Sequence, residues 1–221
     1  MSGMHIAVPG AGEVSALLVT PEHPSALYVL AHGAGAGMRH PFMEAMARRL
    51  AARKIATLRY QFPYVENRRG RPDPEPVLLA TVRAAVATGR EAAGDIPLIA
   101  GGKSMGGRMT SRAAAAAPLD GVAGLAFLGF PLHPAGRPGT GRADHLAKVD
   151  LPMLFLQGTR DTLADLALLR PVLEKLGPRA TLRVFDDADH SFHVRKKSGA
   201  SDEQVLDELA QSIAGWWQER A

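Results

Sequence analysis

Short apolar runs alternate with longer amphipathic patterns along most of the chain, and this alternation limits the possible folds more than any other feature. The apolar runs are continuous, as expected of strands that are buried on both faces of a parallel sheet. The longer patterns have apolar residues at helical spacing, and proline or glycine marks several of their ends. We therefore predict strands at 26–30, 55–59, 97–100, 124–130, 153–157 and 181–185, with helices at 42–53, 77–90, 105–117, 163–176 and 201–217.

Strand–helix alternation of this extent predicts an α/β fold with a mostly parallel central sheet and helices on both faces. A further strand at 14–19 is expected at the edge of the sheet, in antiparallel pairing. No linker or internal repeat interrupts the pattern, so residues 1–221 are predicted to form one domain. Two irregular stretches, 62–76 and 131–150, follow strands, and the second is too short to form a cap domain.

The composition excludes several classes of function. The 221 residues include no cysteine, which rules out disulfides, thiolate metal sites and a cysteine nucleophile. The net charge is +4, but the basic residues are spread among carboxylates, so no nucleic-acid partner is expected. The basic cluster at 195–197 has no acidic neighbour and is predicted to be a solvated turn. Since the sequence shows neither a signal-peptide pattern nor an apolar run that could span a bilayer, we expect a cytoplasmic protein without a membrane partner.

The motif G-K-S-M-G at 102–106 lies directly between a predicted strand and a predicted helix. A serine on such a turn takes up strained backbone angles, and the glycines around it let the strand and the helix approach closely. Ser104 is therefore the candidate nucleophile. A phosphate-binding loop would need glycine in place of Pro97, and a dinucleotide fingerprint that starts at Gly33 would need glycine in place of Met38. Both of these alternatives fail, whereas an incidental serine in a glycine-rich turn stays open.

A serine nucleophile needs a base that is itself held by an acid. His190 closely follows the last predicted strand and is the candidate base, ahead of His193. Asp161 follows the strand before it and is the candidate acid, whereas Asp165 is placed inside the next helix. A metal pair formed by the two histidines and helix capping by Asp161 are the alternatives. The order Ser, Asp, His along the chain is the order expected of an α/β-hydrolase.

Backbone donors are needed to stabilise the oxyanion of an acyl-transfer intermediate. One candidate is the amide of Met105, the residue after the nucleophile. The other is the amide of Ala34, in the loop H-G-A-G-A-G at 32–37 that follows a predicted strand. His32 is expected to brace this loop rather than to catalyse.

Candidate contacts to the substrate lie in the two irregular stretches. His133 stands in the second stretch. The first stretch contains Arg68, Arg69 and Arg71, which could meet an acidic substrate. Nearby carboxylates offset their charge, so a solvated loop is the alternative interpretation.

With these motifs the chain resembles lidless α/β-hydrolases across nearly its full length, and it is similar to small esterases and dienelactone-hydrolase relatives. Segments 32–38 with 40–42, 101–109 and 130–146 resemble more closely a branch that includes testis-expressed hydrolase-like proteins and a subunit of a chromatin acetyltransferase complex. The resemblance implies an α/β-hydrolase fold with no cap domain. It also implies the roles of nucleophile, acid and base for Ser104, Asp161 and His190.

These features predict a serine hydrolase that cleaves a small carboxylic ester or thioester through an acyl-enzyme intermediate, with no metal or cofactor. A non-catalytic interaction module on the same scaffold is the alternative, because the chromatin-associated relative resembles a scaffold more than an enzyme. The reactivity of Ser104 separates the two hypotheses, since a binding module has no need of an activated serine.

Overall fold

The computed structural model describes residues 2–220, which are built around an eight-stranded sheet. The strands stand in the order β1-β2-β4-β3-β5-β6-β7-β8, and all neighbours from β4 to β8 in this order are parallel. The two pairs β1–β2 and β2–β4 are antiparallel. The strands are β1 Ser2–Val8, β2 Gly12–Val19, β3 Ala26–Ala31, β4 Ile55–Tyr60, β5 Leu98–Lys103, β6 Val122–Leu128, β7 Met153–Gly158 and β8 Ala180–Phe185.

Residues 2–220 contain six α-helices, and those that cover the two faces of this sheet confirm the predicted fold class. Side chains of α3, α4 and α5 pack on one face, and those of α1 and α6 pack on the other. Successive residues of β3 point alternately into these two cores, which explains why the strand is apolar throughout. The helices are α1 Pro41–Ala51, α2 Pro63–Glu66, α3 Glu75–Ala93, α4 Met105–Ala116, α5 Leu166–Leu176 and α6 Asp202–Gln218.

The amino-terminal region differs from the prediction. The strand predicted at 14–19 is β2, but it is not an edge strand, because it pairs with β1 on one side and β4 on the other. β1 was not predicted from the sequence. Only Ile6 and Val8 of this strand are buried, so its apolar pattern is too short to stand out.

Three further local features differ from the prediction. The predicted helix at 163–176 begins only at Leu166, because the Asp165 side chain accepts a hydrogen bond from the amide of Ala167 and caps the helix. Asp165 was predicted to lie inside this helix, but it is the residue that caps its amino-terminal end. The stretch 131–150 contains a 3₁₀-helix, Gly141–Lys148, that packs against α4. The cluster at 195–197 is not free of acidic partners, because Arg195 pairs with Asp187.

The connection between β6 and β7 contains no element other than this 3₁₀-helix, and hence no cap domain. Within residues 2–220, no helix is long and apolar enough to cross a membrane. The loops after β3, β5, β7 and β8 all leave the carboxyl edge of the sheet. That edge is where open α/β sheets place their ligand sites.

Candidate active site

Ser104 stands at the sharp turn between β5 and α4, with φ 51° and ψ −117°. This left-handed backbone conformation is strained for a residue that has a side chain. The neighbouring glycines make the turn possible. A Cβ at Gly102 would lie 2.2 Å from the backbone oxygen of Ala31, and a Cβ at Gly106 would lie 2.6 Å from that of His32. Close packing of β3, β5 and α4 thus holds Ser104 at the carboxyl edge of the sheet.

Three side chains that follow three different strands form one hydrogen-bonded chain at this edge. Ser104 Oγ lies 2.8 Å from His190 Nε2, and His190 Nδ1 lies 2.7 Å from Asp161 Oδ2. The structure thus brings together the residues that the sequence analysis selected as nucleophile, base and acid. Their catalytic roles stay a prediction, which the proposal below develops.

The carboxylate of Asp161 is fully buried and is held from three directions. Oδ2 accepts from Gln157 Nε2 at 2.5 Å and from His190, and Oδ1 accepts from the amide of Leu163 at 2.8 Å. Because a carboxylate only accepts, Nδ1 of His190 carries the proton and Nε2 is left free to accept from the hydroxyl of Ser104. Since Asp165 caps α5, Asp161 is not the cap of that helix.

His193, the competing histidine, is not part of the hydrogen-bonded chain formed by Ser104, His190 and Asp161. Its Nδ1 is 2.8 Å from Asp202 Oδ2, and this hydrogen bond raises the pKa of His193. Within residues 2–220, no three His, Cys, Asp or Glu side chains are grouped so that they could hold a metal ion. The arrangement therefore gives no support to a metal pair formed by His190 and His193.

The loop after β3 presents the other predicted donor. His32 is completely buried, and its Nε2 accepts from the amide of Phe62 at 3.2 Å while Nδ1 donates to Gly33 O at 2.7 Å. Burial lowers the pKa of His32 to about 4, so that it is neutral and braces the loop, as predicted. Neither the amide of Ala34 nor that of Met105 donates to an acceptor in the described part of the chain. Ala34 also lines the cavity beside Ser104, whereas Met105 does not.

A cavity of about 330 Å³ opens next to Ser104 and His190. Its apolar lining comes from Phe42 and Met43 of α1 and from Leu163 in the loop before α5. Pockets of this size accommodate small organic ligands. A separate, wider groove of about 410 Å³ lies beside β1 and β2, and Ser104 does not line it.

The structure does not bring the predicted substrate contacts to the cavity of Ser104. Arg68 lines the separate groove, and Arg69 pairs with the buried carboxylate of Asp73 at 2.6 Å. Arg71 is exposed. His133 is buried, and its Nε2 accepts from the amide of Asp165 at 3.2 Å. This arrangement gives no support to a substrate contact by any of the four predicted residues, His133, Arg68, Arg69 and Arg71.

Several residues of the site were not predicted from the sequence. Lys103, which lines the cavity, stands inside the serine motif, so its position next to Ser104 was a usable signal. In the sequence, Phe42 and Met43 are only apolar positions of an amphipathic helix, and nothing there indicates that they line a cavity. Gln157 is the last but one residue of a buried strand, and a glutamine there was a signal for a buried polar partner.

Comparison with known proteins extends these observations. Residues 24–218 match the sequence model of the alpha/beta hydrolase domain. A lidless alpha/beta serine hydrolase from Xanthomonas campestris is similar, with 23% identity, a TM-score of 0.75, and coverage of 97% of this chain and 94% of that chain. A dienelactone hydrolase from Anabaena variabilis has 23% identity, a TM-score of 0.77, and coverage of 99% and 96%. An alpha-beta serine hydrolase homologue from Coxiella burnetii has 19% identity, a TM-score of 0.77, and coverage of 100% and 97%. At these identities the solved structures show a shared fold, and the narrower branch named above stays a prediction.

Proposed function

Because this chain belongs to the alpha/beta hydrolase family, we propose that it is a serine hydrolase that cleaves small carboxylic esters or thioesters through an acyl-enzyme intermediate. The observation that carries the proposal is the hydrogen-bonded chain Ser104–His190–Asp161 beside a cavity. A strained serine, a histidine whose acceptor nitrogen faces it and a buried carboxylate are the parts that acyl transfer requires.

In the first half of the proposed reaction, Ser104 Oγ attacks the acyl carbon while its proton passes to His190 Nε2. The carbonyl oxygen becomes an oxyanion, to which the amides of Ala34 and Met105 donate hydrogen bonds. Collapse of this intermediate breaks the bond to the leaving alkoxide or thiolate, which takes the proton from Nε2. The acyl group is then bonded to Ser104.

In the second half, a water molecule gives a proton to His190 Nε2 and attacks the acyl carbon. A second oxyanion forms in the same place, and its collapse releases the carboxylic acid as Ser104 Oγ recovers its proton. Asp161 stays ionised throughout, keeps the proton on Nδ1 and stabilises the imidazolium. No step calls for a metal or cofactor.

The dimensions of the cavity favour small acyl groups. Its volume is about 330 Å³, its walls near the serine include Phe42, Met43 and Leu163, and no cap domain extends it. We accordingly propose short acyl chains, with residues 1–221 acting as one catalytic domain in the cytoplasm.

The test is hydrolysis of p-nitrophenyl esters and of thioesters that carry acyl chains of two to about ten carbons. We expect the wild type to prefer short chains and Ser104→Ala to lose about 10³-fold or more in kcat/KM. Ser198→Ala, an exposed serine away from the cavity, is the matched control and should keep full activity. Equal turnover by Ser104→Ala contradicts the proposed nucleophile, and a folded wild type with no turnover favours the non-catalytic interaction module.

A further inference from the structure

The side chain of Lys103 spans the candidate site between two loops. A Cβ placed on Gly33, in the loop after β3, would lie 3.6 Å from Lys103 Cγ, so the lysine stem runs along that loop. Its Nζ donates a hydrogen bond of 2.5 Å to the backbone oxygen of His190. Nζ also lies 5.9 Å and 5.4 Å from the ring centroids of Phe42 and Phe192. One side chain thus contacts the loop that presents the candidate oxyanion donor and the loop that carries the candidate base.

Placing an ammonium group here is unfavourable for folding. Within residues 2–220, Lys103 forms no salt bridge, and burial lowers its pKa to about 8 although Asp161 and Asp189 favour the charge. Methionine has a similar length, contacts aromatic rings favourably and would fill this space without the cost of desolvating a charge. Packing alone therefore does not account for a lysine at this position.

The surroundings of Nζ also couple it to the imidazole of His190. Gly129 has φ 69° and forms the floor beneath both groups. A Cβ on Gly129 would lie 3.1 Å from Lys103 Nζ and 3.5 Å from both Cε1 and Nδ1 of His190. The ammonium and one edge of the imidazole therefore share the space above a glycine that leaves room for both.

We propose that Lys103 is a positioning residue that holds the backbone carbonyl of His190 and so keeps the imidazole between Ser104 and Asp161. This inference rests on the proposed hydrolase function. Catalytic groups have to be held within about 0.5 Å of their productive geometry, and a displacement of about 1 Å costs about 10²-fold in rate. A shift of the His190 backbone would move its carbonyl and its ring together, and the hydrogen bond from Nζ to that carbonyl opposes such a shift.

The first experiment compares Lys103→Met with Lys148→Met, which changes an exposed lysine on the Gly141–Lys148 helix. The readouts are kcat and KM for the best short ester, the rate at which a fluorophosphonate labels Ser104, and the Tm. For Lys103→Met we expect kcat and the labelling rate to fall 10- to 100-fold, KM to stay within twofold, and Tm to be unchanged or higher. For Lys148→Met we expect no change. A residue that only supports the fold would show the opposite pattern, with a lower Tm and a nearly normal labelling rate.

A second readout uses the wild type, so it holds even if a variant fails to fold. The charged groups that face Lys103 are Asp161 after β7 and Asp189 after β8, and His40 before α1 lines the same cavity. Above a pH of about 8 the ammonium loses its proton and donates a weaker hydrogen bond. We therefore expect the wild-type labelling rate to decline above pH 8, and this decline to be missing in Lys103→Met.

The positioning role of Lys103 and the proposed hydrolase function fail under different results. If the wild type is labelled and Lys103→Met is labelled equally fast, or keeps the decline above pH 8, the positioning role is wrong and the hydrolase proposal stands. A wild-type rate that stays level up to pH 10 also contradicts the positioning role. If the folded wild type is not labelled at all, the proposed function fails and the inference about Lys103 fails with it.

Discussion

Two serine–histidine hydrogen bonds lie within residues 2–220, and their lengths are nearly the same. Ser104 Oγ is 2.8 Å from His190 Nε2, and Ser111 Oγ is 2.7 Å from His145 Nε2. Both serines belong to the same segment of chain, the first just before α4 and the second inside it. We propose catalysis for the first pair alone. Because the serine–histidine distances are nearly equal, hydrogen-bond direction and surroundings must distinguish the two pairs.

The hydrogen bonds of the two pairs run in opposite directions. Asp161 accepts from Nδ1 of His190, which leaves Nε2 as an acceptor for the Ser104 hydroxyl. In the other pair the Ser111 hydroxyl donates to the backbone oxygen of Arg108 at 2.9 Å, so Nε2 of His145 is the donor to Ser111. A histidine that donates to a serine is not placed to take the proton of that serine.

The surroundings of the pairs differ as well. Ser111 is completely buried, whereas Ser104 lines a cavity with its backbone in a strained conformation. Nδ1 of His145 is buried and has no partner within residues 2–220. Burial and, to a smaller extent, the charges of Arg112 and Arg108 together lower the pKa of His145 to about 4. A neutral, confined histidine serves the packing of the 3₁₀-helix on α4, whereas a carboxylate and an open cavity make the first pair suited to acyl transfer.

The largest effect is expected from removing the carboxylate that distinguishes the pairs. In Asp161→Asn the side-chain amide donates to Nδ1 of His190 and moves the imidazole proton to Nε2, so that the first pair takes on the direction of the second. We expect kcat to fall about 10⁴-fold. Asp165→Asn is the matched control, because asparagine also caps helices and kcat should stay unchanged. A loss of less than tenfold in Asp161→Asn would mean that Asp161 does not orient the base.

The second expected effect is on the pH dependence of stability. The folded-state pKa of His145, about 4, is below the ordinary value of 6.5, so the unfolded chain binds a proton that the folded chain does not. The contribution of His145 to stability is therefore present above pH 6.5 and is lost as the pH falls toward 4. His32 contributes in the same sense. Between pH 7 and pH 5, His145 should account for at most about 2 kcal/mol of the loss.

Urea unfolding of the wild type and of His145→Gln at pH 7 and pH 5 measures this contribution. The variant should lose less stability between the two pH values than the wild type does, because it lacks one of the two histidines, His32 and His145, whose pKa burial lowers. The values at pH 7 serve as the reference for any direct effect of the substitution on packing. Equal losses in the two proteins would show that His145 is not held neutral by its surroundings.

The smallest effect is expected from Ser111→Ala. This change removes a buried hydroxyl that links Arg108 O and His145 Nε2, and we expect it to cost about 1 kcal/mol of unfolding free energy. Ester hydrolysis should be the same as in the wild type. A tenfold loss of kcat in a well-folded variant would break the comparison, because it would give the buried pair a part in catalysis.

The sequence predicted the first pair and not the second for a physical reason. Ser104 and Asp161 each follow a buried strand, and His190 follows the edge strand β8. Parallel strands bring their carboxyl ends to one edge, so local patterns were sufficient. Ser111 and His145 meet because a 3₁₀-helix in an irregular connection packs on α4, and no local pattern sets that packing.

The same reasoning explains what else was predicted and what was missed. The core strands were predicted because both of their faces are buried, whereas β1 was missed because it is half exposed. The contacts of Lys103 come from the loop after β3, from α1 and from the loop after β8. Only the tertiary structure shows that these three segments surround one ammonium group.

The most direct test of the central claim is to ask which serine reacts. The wild type, Ser104→Ala and Ser111→Ala are treated with a fluorophosphonate probe, and each is measured by intact mass and by peptide mapping. We predict one adduct on the wild type and on Ser111→Ala, located on Ser104, and none on Ser104→Ala. Labelling of Ser104→Ala at the wild-type rate, or an adduct located on Ser111, would contradict the account.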